Sequence, residues 1–410
     1  MNRIYHEQLP CGMWLLGEQI ESARSLSLSF LLPAGVTAEP QGQQGAATML
    51  AEIICRGAGG LNAREHCDAL DRLGIQRNTS VETHHVRLDA TMIGTKLDEG
   101  LELLVDMVLN PSLAQESLEP TRDLSLQTID SLEDEPQEKV FLELRQRHNP
   151  PPLGRSPLGC KQDLESIELE SLRQFWKTTY VAGGSALAFA GSFDWPRLRE
   201  LVSQRLDQWS GSLEPCKPEG TAQRGYLHLQ ADTTQVHIAT AYDAVPDPSE
   251  DSLLQRAATA VLSGGMSGRL FTEVREKRGL CYAVYATYAG QKDRGAVFSY
   301  AGTTVPRAQD TLEVLLSELR RLSDGIEHDE FDRAKVGMKS RLVMQGESTS
   351  ARAGALATDQ YILGRPRSLG ELADRVDRIT FDQVNAFIQN HRPGPMTVVT
   401  IGPEPLNVPL

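Results

Sequence analysis

The 410-residue sequence lacks the segments that would carry a protein to or through a membrane. No apolar run reaches the roughly 18–20 residues of a transmembrane helix. The N-terminal segment, MNRIYHEQLPCGMWLLGEQ, has neither the apolar core of a signal peptide nor the Arg- and Ser-rich, acid-poor composition of a transit peptide. The six cysteines are scattered without a CxxC pair, which is typical of reduced thiols. These absences predict a cytoplasmic protein with no membrane partner.

An excess of positive charge is also absent. The chain carries 41 Lys and Arg residues against 55 Asp and Glu residues, a formal net charge of −14. Most of the imbalance lies in the first 210 residues, which hold 19 basic and 30 acidic side chains. Such a chain would repel the phosphates of a nucleic acid, so we exclude nucleic acid as a partner. The acidic first half is compatible with basic peptide ligands, or with a surface that is merely solvated.

Short motifs of common catalytic sites are missing as well. The sequence contains no GxSxG, P-loop or GxGxxG, and the GGMSG segment at 264–268 lacks the Lys-Ser/Thr pair of a phosphate loop. His84 and His85 are adjacent in a predicted strand, so their imidazoles point to opposite faces. His66 and Cys67 diverge in a similar way on a predicted helix. A metal site built from these four side chains stays open as an alternative to ordinary surface or core positions.

What the chain does contain is an internal repeat with a period near 200 residues. In each half, the hydrophobic patterns predict strands, two short helices that end at glycines, two more strands and a longer helix. Gly60 and Gly265 are 205 residues apart, and so are Gly74 and Gly279. This period is far longer than that of solenoid repeats. The sequence therefore predicts an α+β fold of two homologous domains of about 200 residues, each a mainly antiparallel sheet packed with helices.

The domain boundaries follow from this repeat. Residues 210–220, SGSLEPCKPEG, contain prolines and glycines and little apolar content, as a linker does. We predict an N-terminal domain over residues 1–209 and a C-terminal domain over residues 221–410. One face of an early strand is predicted to consist of Leu26, Leu28, Phe30 and Leu32.

The most informative stretch, LSGGMSGRLFTEVREKRGLCYAVYA, covers residues 262–286. A helix is predicted to end in the first two glycines, and a second, amphipathic helix to run from near Arg269 to Gly279. In the following strand, period-2 alternation predicts two faces, one with Tyr282, Val284, Ala286 and Tyr288 and the other with Cys281, Ala283, Tyr285 and Thr287. Arg275 and Tyr282 flank the glycine turn, where a guanidinium and a phenol could converge on one carbonyl.

Three segments carry a resemblance to a known family. SGGMSGRLFTEVREKRGLCY, PLGRSPLGCKQDLESI and FWKTTYVAGGSALAFAGSFD, together with the order of the elements, resemble the pitrilysin/insulinase family of zinc peptidases. The resemblance covers nearly the whole chain and implies paired α+β domains of the size of the repeat. The two-domain bacterial members and the mitochondrial processing peptidase subunits are closest in size.

Active members of that family carry an inverted zinc motif, H-x-x-E-H, on the first helix of the first domain. Two histidines four residues apart share a helix face and bind one Zn²⁺, and the glutamate accepts a proton from the bound water. Here the resemblance places Thr48 and Glu52 at the histidine positions and Ala51 at the base position. Thr128, 76 residues after Glu52, stands where the family has a third ligand, a glutamate. We therefore expect no metal in this chain, which should not hydrolyse peptides alone.

The second half keeps another family pattern. By resemblance, Arg275 and Tyr282 match the Arg and Tyr that face the zinc across the chamber and hydrogen-bond the substrate backbone. Both are donors suited to a developing oxyanion. The loop that carries Gly264, Gly265, Met266, Ser267 and Gly268 is implied to border the chamber and touch substrate. The alternative is an arginine on a solvated helix face and a tyrosine packed in a sheet.

The resemblance implies a non-catalytic subunit that pairs with a paralogue bearing H-x-x-E-H and acts on extended peptides. The partner would hold the Zn²⁺, and a homodimer is compatible with the chain in isolation. One alternative is a structural or assembly subunit without a peptidase role, similar to the core proteins of the respiratory cytochrome complex. Another is an active enzyme with a relocated metal site.

Overall fold

The computed structural model describes residues 3–408. The first half of the chain contains, in order, β1 (Arg3–Gln8), β2 (Trp14–Gln19), β3 (Ser25–Leu32), α1 (Ala46–Ile53), α2 (Ala63–Arg72), β4 (Gln76–Val81), β5 (Val86–Ile93), α3 (Leu97–Leu109), α4 (Leu118–Ser131), α5 (Pro136–His148), α6 (Lys161–Ser166), α7 (Leu169–Thr179), β6 (Ala186–Gly191) and α8 (Trp195–Leu206).

The second half repeats the order of strands and helices. It contains β7 (Tyr226–Gln230), β8 (Gln235–Ala244), α9 (Ser252–Ser263), a π-helix (Phe271–Glu276), β9 (Cys281–Gly290), β10 (Gly295–Thr304), α10 (Ala308–Arg321), α11 (His328–Gly346), α12 (Thr349–Leu363), α13 (Leu369–Arg378), α14 (Phe381–Asn390) and β11 (Thr397–Gly402). Gly74 and Gly279 both adopt a positive φ, of 66° and 59°, just before an edge strand. The common landmark therefore reflects a common turn.

The two sheets share one strand order. The first is ordered β1-β2-β6-β3-β5-β4 and the second β7-β11-β8-β10-β9. Apart from the added edge strand β1, each sheet places the first, fifth, second, fourth and third strands of its half side by side. The first and fifth strands pair in parallel, and the other neighbours are antiparallel. The predicted α+β fold of two homologous, mainly antiparallel domains is confirmed.

Strand alternation builds the core of the first sheet. The predicted inward face of β3, consisting of Leu26, Leu28, Phe30 and Leu32, is at most 2% exposed and packs in one apolar cluster. Burial of each such side chain stabilises the fold by about 1.5–3 kcal/mol. This part of the prediction is also confirmed.

The compact units of the structure exchange two segments relative to the predicted division at residues 210–220. The first unit holds the residues up to Ser131, Arg155–Glu219 and Gln345–Ser368, and the second holds the remainder. The physical reason is that each sheet has two apolar faces. Helix α5 covers the outer face of β8 and β11 in the second unit, and α12 covers the outer face of β3 and β6 in the first.

A buried ion pair fixes α12 to the first sheet. The Arg352 guanidinium on α12 donates to Oε2 of Glu18 on β2, from Nε at 2.7 Å and from Nη2 at 2.6 Å. Both side chains are only 2% exposed. Nη2 also donates to the carbonyl of Arg367 at 3.2 Å. A helix from the second half of the chain is thus part of the interior of the first unit.

Two other observations bear on the expected class of protein. All six cysteines are free thiols. Among residues 3–408, no helix has both the length and the apolar character that a membrane crossing requires.

Candidate functional site

By the resemblance, helix α1 stands where the family has its zinc-binding helix. It starts after Gly45, whose φ of 105° favours glycine. Ala51 is 4% exposed within the core. The Thr48 hydroxyl donates to the carbonyl of Pro157, and the Glu52 carboxylate pairs with Arg56 at 3.1 Å. The side chains at the motif positions are therefore engaged with the protein itself.

The remaining motif position lies on α4. Thr128 is exposed, and its hydroxyl donates to the Leu124 carbonyl at 2.8 Å. A zinc site needs about three nitrogen, sulfur or carboxylate ligands, whereas these positions offer two hydroxyls, one methyl and one ion-paired carboxylate. Within residues 3–408, no three or more His, Cys, Asp or Glu side chains are grouped as a metal ion requires. The donor set does not fit zinc.

The side chains considered for a relocated metal site have different surroundings. His66 is fully buried, with Nε2 at 3.3 Å from the Leu103 carbonyl, and burial lowers its pKa. Cys67 is exposed. His85 packs against the Tyr361 ring, with the ring centroids 4.2 Å apart. The relocated site gains no support from this arrangement.

A buried carboxyl group, Glu39, holds the N-terminal end of α1. Its Oε1 accepts from the backbone N–H groups of Gly45 at 2.9 Å and Ala47 at 3.0 Å. Oε2 is buried and has no hydrogen-bond partner in the described part of the chain. Burial raises the pKa of Glu39 to about 7, against the two backbone hydrogen bonds that favour the anion. Ionised Glu39 therefore weakens the fold at alkaline pH.

We expect the substitution Glu39→Gln to stabilise the protein at pH 8 by up to about 3 kcal/mol and to have no effect near pH 4. Because the pKa is raised on folding, the contribution of protonated Glu39 is full below the unfolded pKa of 4.5 and is lost as the pH rises through about 7. Glutamine keeps the acceptor oxygen and cannot ionise. Urea midpoints of both proteins at the two pH values measure the difference, and a gap of equal size at both values would contradict the assignment.

Acid conditions act in the opposite sense on His148 in the second unit. Its Nδ1 lies 2.9 Å from the Thr397 hydroxyl, and burial lowers its pKa to about 4. This contribution is full above the unfolded pKa near 6.5 and is lost as the pH falls through about 4. Glu39→Ala is the control for the Glu39→Gln experiment. This variant loses the acceptor at the start of α1 and should be destabilised at both pH values.

The chain after the glycine-rich loop forms a π-helix instead of the predicted regular helix. Lys277 N–H donates to the Thr272 carbonyl, five residues earlier, at 2.9 Å. The Glu273 carbonyl, the partner of Lys277 in an α-helix, accepts instead from the Arg278 side chain at 2.7 Å. Gly279 ends the segment as predicted, with a φ of 59°. Single π-turns are common at functional sites, and this one carries Arg275.

The predicted faces of β9 are wrong at its start. Cys281 pairs with Thr303 and Ala283 with Gly302, which leaves Tyr282 as an extra residue in a β-bulge. Cys281 consequently packs in the same core cluster as Ala286, the face predicted for Tyr282. A bulge re-aims a side chain and breaks strict alternation. The bulge therefore directs the Tyr282 phenol away from that core.

The Tyr282 phenol is surrounded by residues of β8 and β10. Its hydroxyl donates to Gln235 Oε1 at 2.5 Å, and the side chain is 45% exposed. A Cβ added to Gly302 would lie 2.5 Å from the Tyr282 hydroxyl, so only glycine leaves room for the phenol. The Tyr300 hydroxyl lies 2.8 Å from Nδ1 of His237. Burial, with hydrogen bonding to Tyr282, holds the pKa of Tyr300 well above its usual range.

Arg275 is exposed, and its guanidinium lies over the Phe271 ring at 5.0 Å from the centroid. No hydrogen bond joins Arg275 to Tyr282 in the described residues, so their convergence on one carbonyl stays a prediction. Sequence reasoning misses Gln235 and Gly302. An isolated glycine within a strand pattern is a usable signal for Gly302, whereas Gln235 carries none.

Comparisons with known proteins agree with this architecture. A model of the insulinase family (peptidase family M16) matches residues 16–158, and one described as the peptidase M16 inactive domain matches residues 166–338. The chain is 25% identical to an uncharacterized zinc protease of Bacillus subtilis, over 92% of both chains. It is 27% identical to an uncharacterized zinc protease of Mycobacterium tuberculosis, over 93% of this chain and 89% of that protein.

Two solved structures share the fold. A peptidase M16 inactive domain from Pseudomonas fluorescens superposes with a TM-score of 0.87 at 20% identity and covers 100% of both chains. A protease from Helicobacter pylori gives 0.86 at 18% identity, over 98% of this chain and 100% of that chain. The two family models together span most of the chain, so the protein belongs to the insulinase family of peptidases, M16.

Proposed function

We propose that this chain is the non-catalytic subunit of a heteromeric zinc peptidase that cleaves extended peptides. The observation that carries the proposal is the contrast between its halves. Thr48, Ala51, Glu52 and Thr128 replace the zinc ligands and the base, and their side chains are bonded within the chain or buried. Tyr282, in contrast, is half-exposed on a bulge that directs it out of the core.

A paralogous partner with an intact H-x-x-E-H motif would supply the metal and the general base. The part assigned to this chain is to bind and orient the peptide. Arg275 and Tyr282 would donate hydrogen bonds to the substrate carbonyl near the scissile bond, where donors aimed at developing negative charge lower the barrier. The exposed loop at residues 264–267 would contact the peptide main chain. The free thiols support a cytoplasmic location for the assembly.

Mixing experiments test the proposal. The chain alone is expected to contain no stoichiometric zinc and to leave a quenched fluorescent peptide intact. Addition of the paralogous H-x-x-E-H subunit should produce cleavage that neither chain shows separately. A partner equally active without this chain would favour a structural or assembly role. Zinc and cleavage in the isolated chain would instead establish a relocated metal site.

A further inference from the structure

The loop at residues 264–268 and helix α11 enclose a small cleft of about 40 Å³. Its α11 side includes Glu330, Arg333, Gly337 and Arg341. Their spacing of three or four residues places them on one helix face. A cavity needs roughly 10–15 Å³ to hold one water molecule, so the cleft has room for about three non-hydrogen atoms. That is the size of a carboxylate group.

Two arginines of the cleft, Arg333 and Arg341, have at most a long ion pair. Glu330 is neutralised by Arg269, which binds it through two hydrogen bonds of 2.6 and 2.7 Å. Arg333 has only a 3.9 Å contact with Asp329, whose side chain is 86% exposed. Arg341 is exposed and makes no ion pair or hydrogen bond with any residue that the structure describes. A cationic cleft of this kind stands out in a chain with a net charge of −14.

Two glycines line the cleft and face open space. A Cβ added to Gly265 or to Gly337 would meet no atom within 4 Å. Glycine is among the least favourable residues in a helix interior, yet Gly337 lies in the middle of α11 and lines the cleft. The space beside the two arginines is therefore left free by a glycine, although most other residues at this position would stabilise the helix.

We infer that this cleft binds a carboxylate of the peptide substrate, through Arg333 and Arg341. The inference rests on the proposed function, because it takes peptides as the ligands. Guanidinium groups match the planar geometry of a carboxylate and bind it through charge-assisted hydrogen bonds. The carboxylate comes from an acidic side chain or from the C-terminus of the peptide. This negative group differs from the basic side chains that the acidic first half would favour. The cleft would therefore recognise a single acidic position within the peptide.

Fluorescence anisotropy of the full chain tests the inference with three labelled, N-acetylated peptides of one sequence. The first has a central glutamate and a C-terminal amide, the second a central glutamine and an amide, and the third a central glutamine and a free C-terminal carboxylate. The first or the third should bind about tenfold more tightly than the second, since charge-assisted hydrogen bonds are the strong ones. Whichever peptide gains affinity identifies the source of the carboxylate.

The variants separate charge from shape. In the double variant Arg333→Gln/Arg341→Gln, the three peptides should bind equally, whereas Arg392→Gln, which changes an exposed arginine outside the cleft, should keep the preference. Gly337→Met should weaken the preferred peptide by filling the cleft, with the thermal midpoint unchanged or higher. Equal binding of the three peptides to the native chain, or a preference that survives in the double variant, overturns the inference and leaves the proposed function standing. If no peptide binds to the native chain at all, the inference also fails.

Discussion

Replacement of Arg352 by alanine is expected to lower the free energy of unfolding by about 3–5 kcal/mol, the usual cost of removing one partner from a buried ion pair. Arg352 and Glu18 are both 2% exposed, so the remaining carboxylate would stay in a low-dielectric interior without its guanidinium. The same side chain holds α12 against the first sheet, and its loss also removes a hydrogen bond to the Arg367 carbonyl. Urea unfolding followed by circular dichroism measures the change.

Two further variants give this experiment its controls. The double variant Glu18→Leu/Arg352→Met should regain most of the lost stability, since a buried pair can be replaced by apolar residues at little cost. Arg64→Ala, at an exposed position on α2, should change the free energy of unfolding by no more than about 0.5 kcal/mol. If Arg352→Ala resembled Arg64→Ala, the ion pair would have no role in anchoring α12.

In the proposed heteromeric peptidase, removal of the Tyr282 hydroxyl is expected to lower turnover by about 10²-fold or more, the usual effect of deleting one donor to a developing oxyanion. Tyr282→Phe keeps the ring in the bulge and deletes only the hydroxyl that now donates to Gln235. Arg275→Ala should lower turnover to a similar extent. Peptide cleavage by the reconstituted pair gives turnover, and size-exclusion chromatography confirms that assembly is intact.

Matched controls exist in the same elements. Tyr288→Phe removes a phenol hydroxyl from the same strand, one that donates to the Val245 carbonyl at 2.8 Å, and should leave turnover unchanged. Lys277→Ala removes an exposed cation that pairs with Glu273 at 2.7 Å, leaves the Arg278 hydrogen bond to the Glu273 carbonyl in place, and should also leave turnover unchanged. Gly302→Ala offers an independent approach, because the added methyl group would displace the Tyr282 phenol without altering its chemistry. Full activity in Tyr282→Phe and Arg275→Ala would remove both residues from the reaction.

Much of the fold could be predicted because the signals that define it are local. The buried face of β3, from Leu26 to Leu32, follows from alternation along the strand. The end of the helix at Gly279 follows from a glycine after an amphipathic segment, and the φ of this glycine is positive. The sequence predicts that strands and helices follow one another in the same order in both halves, but it does not predict the order of the strands within each sheet. Its parallel first and fifth strands depend on pairing between distant segments.

The candidate site was less predictable because its geometry depends on contacts between strands. Alternation placed Tyr282 with Val284, whereas the pairing of Cys281 with Thr303 and of Ala283 with Gly302 turns Tyr282 to the other face. The π-helix at Arg275 was also missed. In this π-helix the Arg278 side chain, instead of the Lys277 N–H, donates to the Glu273 carbonyl. Hydrophobic periodicity carries no information on such a hydrogen bond.

The sequence by itself determined the α+β class and the duplication, because the hydrophobic periodicity and the glycine spacing can be read directly along the chain. By resemblance it also predicts that Thr48, Ala51, Glu52 and Thr128 replace the zinc motif. Only the tertiary structure decided which residues surround Tyr282, that Glu39 is buried with a raised pKa, and that Arg333 and Arg341 lie beside the glycine-rich loop. Each of these depends on segments far apart in sequence. Burial and the approach of such segments arise only when the sheets and their covering helices pack together.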